Sequence, residues 1–158
     1  MPGPGRICSN PTVTELRTSE TKLEFPYSRT TGPVIGAFLA GLREGRVLGI
    51  KGSDGRTLVP PPEYDPETGE SLGVDLIEVG PLGTVQAWAW VSNPLPKHPL
   101  DRPFAFALIR PDGADSAMLH AVDAGDSGNM RTGLRVRPRF KSEPTGLITD
   151  LEAWEVAE

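Results

Sequence analysis

The sequence predicts a mainly β protein: a closed or partly closed barrel of short strands, preceded by one amphipathic helix and a small turn-rich unit. Three observations carry this. There are 18 glycines and 17 prolines among 158 residues, far more punctuation than an average protein carries, which rules out a helix bundle or coiled coil. From about residue 73 onward, short strand-like stretches recur between turn signals, the pattern of a barrel. Only residues 32–44 place apolar residues at helical spacing.

Taken in order, residues 1–22 read as a disordered tail. They open Met-Pro-Gly-Pro-Gly and continue rich in Ser, Thr and Glu, too polar to bury a core. Residues 23–71 form an N-terminal unit. Its entry segment carries Phe25 and Tyr27, apolar enough to dock on a neighbour. A helix is expected from Gly32 to Glu44, with Thr31 as N-cap, Pro33 in the first turn and Gly45 just past the end. Val34, Ile35, Phe38, Leu39 and Leu42 fall on one stripe. The stripe fits a helix packed on its own domain and equally one that docks on a partner. Strands follow at residues 46–51 and 56–59 around a tight turn at 52–55, with a second turn at 64–69.

Residues 72–158 read as the barrel, with strands near 74–79, 83–91, 103–110, 117–122, 134–141 and 147–156. Pro111-Asp-Gly113 is a hairpin turn with a mechanism, since Pro presets φ and Gly accepts positive φ.

Composition bounds the function. The net charge is −5, which argues against bulk binding of nucleic acid or anionic membrane. Cys8 is the single cysteine and His98 and His120 are the two histidines, so no internal disulfide and no ordinary zinc site can be built from them. The longest apolar run, residues 34–42, is too short to span a bilayer. The N-terminus lacks the apolar core of a signal peptide. A soluble, cytoplasmic protein is expected.

Four local patterns bear on chemistry. Gly125-Asp-Ser-Gly128 matches the surroundings of a serine-protease nucleophile. Ser127 would need an activating histidine oriented by a carboxylate, and a plain Gly/Ser loop fits better. Asp123, Asp126 and Asn129 lack the closing bidentate Glu of a calcium loop. Arg135, Arg137, Arg139 and Lys141 alternate with Val136, Pro138 and Phe140, so on a strand the cations share one face. With Arg131 just upstream they are the candidate contacts for coenzyme A phosphates or an acidic surface; a solvated edge strand is the plainer reading. Gln86, Trp88 and Trp90 share one face of their strand, with Val85, Ala87, Ala89 and Val91 on the other. The pattern leaves open whether the tryptophans are core or exposed anchors.

The order of motifs after residue 22 resembles a family of acyl-CoA-associated proteins in which a rubredoxin-like zinc ribbon precedes an OB-fold barrel. The ribbon frame survives as Lys51-Gly-Ser-Asp54-Gly55, Pro60-Pro61 and Asp65-Pro66-Glu67-Thr68-Gly69, but Lys51, Asp54, Asp65 and Thr68 occupy the four cysteine positions. Gly83-Thr-Val85, Arg102-Pro-Phe104, Leu108 to Ala114, Leu119-His120 and Gly133-Leu-Arg-Val136 resemble the OB portion. Tyr27 to Pro33 and Phe38 to Gly45 resemble a metal-free subgroup.

The resemblance implies an OB-fold with a degenerate, metal-free ribbon. No zinc is expected, because a lysine cation opposes a metal in its first shell. It implies a non-catalytic companion of thiolases or lipid-transfer-protein-type thiolases and aldolases, in a hetero-oligomer acting on acyl-CoA in lipid or steroid metabolism. Acyl-CoA would at most be shared with that partner. Val34, Ile35, Phe38, Leu39, Leu42, Trp88 and Trp90 would be the contacts. A direct acyl-CoA-binding OB module is the second reading and a nucleic-acid-binding OB module the third.

Overall fold

The computed structural model describes residues 19–24 and 30–157. Residues 1–18 of the expected tail, with Cys8, lie outside the described residues, as do Phe25 and Tyr27. Residues 19–24 form no helix or strand.

The expected helix is α1, Pro33–Arg43. Its start differs from the Thr31 cap: the N-cap is Gly32, with no side-chain cap of its own. Glu63 supplies the cap from across the fold, its Oε1 accepting from Val34 N at 3.1 Å and Ile35 N at 3.2 Å. A carboxylate there also suits the positive end of the helix dipole. The other end stops as expected. Gly45 sits at φ 76°; Gly45 N donates to Leu42 O at 3.0 Å and Arg46 N to Gly41 O at 2.9 Å, the paired bonds of a Schellman termination.

Three strands form a small antiparallel sheet in the order β2-β1-β3, with β1 Val47–Lys51, β2 Thr57–Leu58 and β3 Leu76–Val79. The sequence pattern assigns β3 to the barrel, but it pairs with β1 from Val47↔Val79 to Ile50↔Leu76. Gly80 at φ 99° then turns the chain out of the sheet.

Five strands close the barrel: β4 Gly83–Val91, β5 Phe104–Pro111, β6 Met118–Asp123, β7 Arg135–Phe140 and β8 Leu151–Val156. Their order is β4-β5-β6-β8-β7, with β6 and β8 parallel and the other pairs antiparallel. This is the five-stranded Greek-key arrangement of an OB-fold. The Pro111–Gly113 turn forms as read, with Ala114 N donating to Pro111 O at 3.0 Å and Gly113 at φ 84°. The last strand starts later than the pattern suggests. Asp150 is buried and gathers the amides of Thr145 at 2.8 Å and Gly146 at 2.6 Å, so residues 148–150 coil into a 3-10 turn before β8.

The two parts share one core. Phe38, Leu42, Val47 and Val79 of the small unit cluster with Val85, Ile109, Val136 and Trp154 of the barrel. The hairpin after β5 also stitches them. Asp115 exchanges two bonds with Thr57, each at 2.8 Å, and Ser116 Oγ accepts from Val59 N at 2.6 Å. These bonds satisfy the outer edge of β2, which would otherwise stand open. Among the described residues, no helix is long and apolar enough to cross a membrane.

Candidate functional site

The helix stripe divides in two. Val34, Phe38 and Leu42 are 1%, 2% and 1% exposed and belong to the chain's own core, which corrects their expected role as partner contacts. A side chain already buried has no area left to give. Ile35 and Leu39 are half-buried. With Pro60, Leu147, Ile148 and the edge of Phe38 they line an apolar surface groove of about 440 Å³. Leu147 and Ile148 are 55% and 45% exposed. The sequence pattern misses these last two as surface residues, because an apolar pair leading into a strand reads as strand core.

The tryptophans also divide. A bulge between Val85 and Ala87 shifts the register, so Trp88 lies opposite Ala107 and Trp90 opposite Ala105. Ala105 and Ala107 are buried core residues. Paired residues share a face, so both indoles lie on the inward side along with Val85, not opposite it as simple alternation predicts. Trp90 packs half-buried against the core, and Trp88 remains 37% exposed.

The basic stripe is largely neutralised within the chain. Arg135 pairs with Asp112 and Thr84. Arg137 Nε donates to Glu155 at 2.7 Å. Arg139 reaches Glu152 at 2.7 Å, Asp123 at 3.0 Å and Glu155 at 3.2 Å. Burial alone would lower the pKa of Arg139, but these three carboxylates outweigh it and raise it. Burial likewise pushes Asp123 up, and hydrogen bonds from Arg102 and Arg139 more than reverse this. Of the five candidate phosphate contacts, only Arg131 and Lys141 have no ion-pair partner among the described residues. Alternation shows which way cations point but not which carboxylates lie opposite, here on β8, at the end of β6 and in the turn after β5.

At the four ribbon-cysteine positions, Lys51, Asp54 and Thr68 are exposed and Asp65 is buried. Asp65 Oδ2 accepts from Ser53 N at 2.6 Å, and its Oδ1 from Glu67 N at 2.8 Å and Thr68 N at 3.1 Å. One carboxylate thus ties the 52–55 turn to the 65–69 turn. The amides of Ser53 and then Glu67 hold its pKa below the usual carboxylate range. These residues do not fit a zinc ion: one is a cation, and the buried carboxylate is already spent on backbone amides. No group of three His, Cys, Asp or Glu side chains that could hold a metal occurs among the described residues.

A depressed carboxylate stabilises the fold above its unfolded pKa, and that stability is lost as pH falls through the folded value. Asp65 and Asp150 both have lowered pKa values, Asp150 because bonds from Thr145 and Gly146 overcome its burial. The protein is expected to keep its thermal midpoint from neutral pH down to about pH 4 and lose it progressively below. Asp65→Asn should lower the neutral-pH midpoint and flatten this acid limb. An unchanged limb in a melt series would show that Asp65 is not what titrates.

Around Ser127 the loop is closed locally. Asp126 accepts from Gly128 N at 2.7 Å as the cap of a 3-10 turn. The depression beside Gly128 is lined by Asp123, Asn129, Arg131 and Arg137, with no histidine, so the arrangement provides no base for that serine.

Comparison with known proteins now bears on the barrel. Residues 76–141 match the family model described as ChsH2, C-terminal OB-fold domain. Over these residues the chain is similar to a ChsH2-type OB-fold domain. The match spans β3 to the end of β7, so the OB resemblance read from Gly83-Thr-Val85 through Gly133-Leu-Arg-Val136 holds. Among solved structures, the chain is similar to a DUF35 family protein of unknown function from Sulfolobus solfataricus. The two share 22% identity over 80% of this chain and 87% of that one, with a TM-score of 0.59. It is also similar to the structure described as the Ltp2-ChsH2(DUF35) aldolase, at 14% identity over 83% of this chain and all of that one, with a TM-score of 0.64. At these identities the likeness concerns the fold. No curated protein matches the sequence.

Proposed function

We propose that the chain is a non-catalytic accessory subunit that binds and supports a thiolase-like enzyme of the lipid-transfer-protein type, acting on acyl-CoA substrates in lipid or steroid metabolism. The observation that carries this is the apolar groove of Ile35, Leu39, Pro60, Leu147 and Ile148. It sits on a ChsH2-type fold, and the similar ChsH2(DUF35) chain is described as part of an aldolase with Ltp2. A surface depression with almost no polar lining is costly to leave wet and fits a partner's apolar side chains. The small unit is then a relative of a zinc ribbon that has exchanged its metal for the Asp65 staple. Direct binding of acyl-CoA is a second reading, favoured only by the unpaired Arg131 and Lys141.

The test is to recover the tagged protein from its native lysate at mild salt and identify what accompanies it. A thiolase-like enzyme at fixed stoichiometry, with no stoichiometric zinc in the accessory subunit by elemental analysis, is the expected result. A clean monomer, or one zinc per chain, overturns the corresponding half of the proposal.

A further inference from the structure

Both histidines of the chain line one cavity. It has a volume of about 370 Å³, and its walls carry Lys97, His98, His120, Lys141 and Glu152. They come from four places: His98 and Lys97 from the loop after β4, His120 from β6, Lys141 from just past β7, and Glu152 from β8.

The charge in this cavity is one-sided. Glu152 is already engaged by Arg139 at 2.7 Å. Lys97 and Lys141 have no carboxylate partner among the described residues. Two unpaired lysines therefore line a cavity whose one carboxylate is already engaged by Arg139.

The histidines add fixed polarity. Leu95 N donates to Nδ1 of His98 at 3.2 Å. That uses the Nδ1 lone pair and leaves Nε2–H as the ring's free donor. The ring is held edge-on to Phe104 and Phe106 at 5.7 and 5.8 Å. His120 is held neutral by burial, which lowers its pKa. Its Nδ1 is buried with no hydrogen-bond partner. A buried polar atom left incomplete costs stability.

We propose that this cavity binds a small organic phosphate, with Lys97 and Lys141 on the phosphate oxygens and His98 Nε2–H as a further donor. Two ammonium groups and an N–H match a dianion with several acceptor oxygens better than they match a single carboxylate. The apolar part of the ligand has a wall to rest on, since Pro99 and Ile148 line the same cavity. Ile148 also lines the apolar groove, so the two depressions meet at the 147–149 segment. This site does not depend on the partner reading and is tested on the chain alone.

Because the chain has only 2 histidines, imidazole resonances in a long-range ¹H–¹⁵N spectrum report the cavity without ambiguity. ADP is the probe and adenosine its uncharged control. Millimolar ADP should shift both rings, and adenosine should not. By calorimetry, Lys97→Ala with Lys141→Ala should weaken ADP binding at least ~10-fold, about the loss of one charge-assisted contact. Lys51→Ala, an exposed lysine on the small sheet, should leave it unchanged. Three results overturn the proposal: no shift with ADP, equal shifts with adenosine, or an equal loss with Lys51→Ala. All three lysines are exposed, so the variants should fold, and a coincident thermal melt confirms it.

Discussion

Leu39→Asp combined with Ile148→Asp is expected to weaken the complex with the partner enzyme by at least ~100-fold, because two central apolar contacts are each worth about 2 kcal/mol or more. The thermal midpoint of the isolated chain should fall by no more than a few degrees. Leu39 is half-buried and Ile148 is 45% exposed, so an aspartate at either position can reach water. Facing an apolar partner surface, the same carboxylates would have to be desolvated without a counter-ion. Phe38→Asp is the wrong variant for this purpose: Phe38 is 2% exposed in the main core, and a charge there unfolds the chain whether or not a partner exists. Co-elution of the double variant with the partner at wild-type affinity would remove the groove from the interface.

The second large effect concerns the barrel. Trp154→Ala should cost about 3–5 kcal/mol, the range for deleting a large buried aromatic side chain, out of a total stability of about 5–15 kcal/mol for a domain of this kind. Trp154 is 0% exposed. It lies in β8 opposite Val122 of β6 and Pro138 of β7, where the parallel and antiparallel pairings meet. Its indole fills the space left by Gly83. A Cβ on Gly83 would stand 3.1 Å from Trp154 Cζ3 and 2.8 Å from Ile109 Cγ2. Gly83 is also where β4 pairs with both β5 and β7 to close the barrel. Gly83→Val should therefore destabilise by the opposite fault, overpacking at the seam. Urea unfolding measures both. A loss under about 1 kcal/mol for Trp154→Ala, the average for any substitution, would mean that the seam is not where the barrel gains its stability.

The element positions were mostly legible from the chain. The helix, the Gly45 stop, the 83–91 strand and the Pro111–Gly113 turn depend on interactions between residues a few positions apart, and such local chemistry is written in order along the sequence. The OB-fold was legible too, through motifs spread over the same strands. Legibility failed wherever one residue's partner is distant. Glu63 rather than Thr31 caps α1 from 29 positions away. One bulge at Gln86 reverses the face of both tryptophans. Arg135, Arg137 and Arg139 read as a free basic stripe and turn out to be answered by Asp112, Glu152 and Glu155.

From its order of residues alone, this protein is a β-rich chain with one helix, an OB barrel and no cysteine set for zinc. Periodicity, turn chemistry and ligand chemistry act on each segment regardless of the rest. Folding in three dimensions settles everything that needs two distant segments to meet: which half of the helix stripe is core, that Leu147 and Ile148 extend its exposed half into a groove, that Asp65 ties two turns together, and that His98 and His120 share a cavity with two lysines. Electrostatic pairing and burial are properties of position in space. Barrel closure brings residues far apart in the chain within 3 Å of each other.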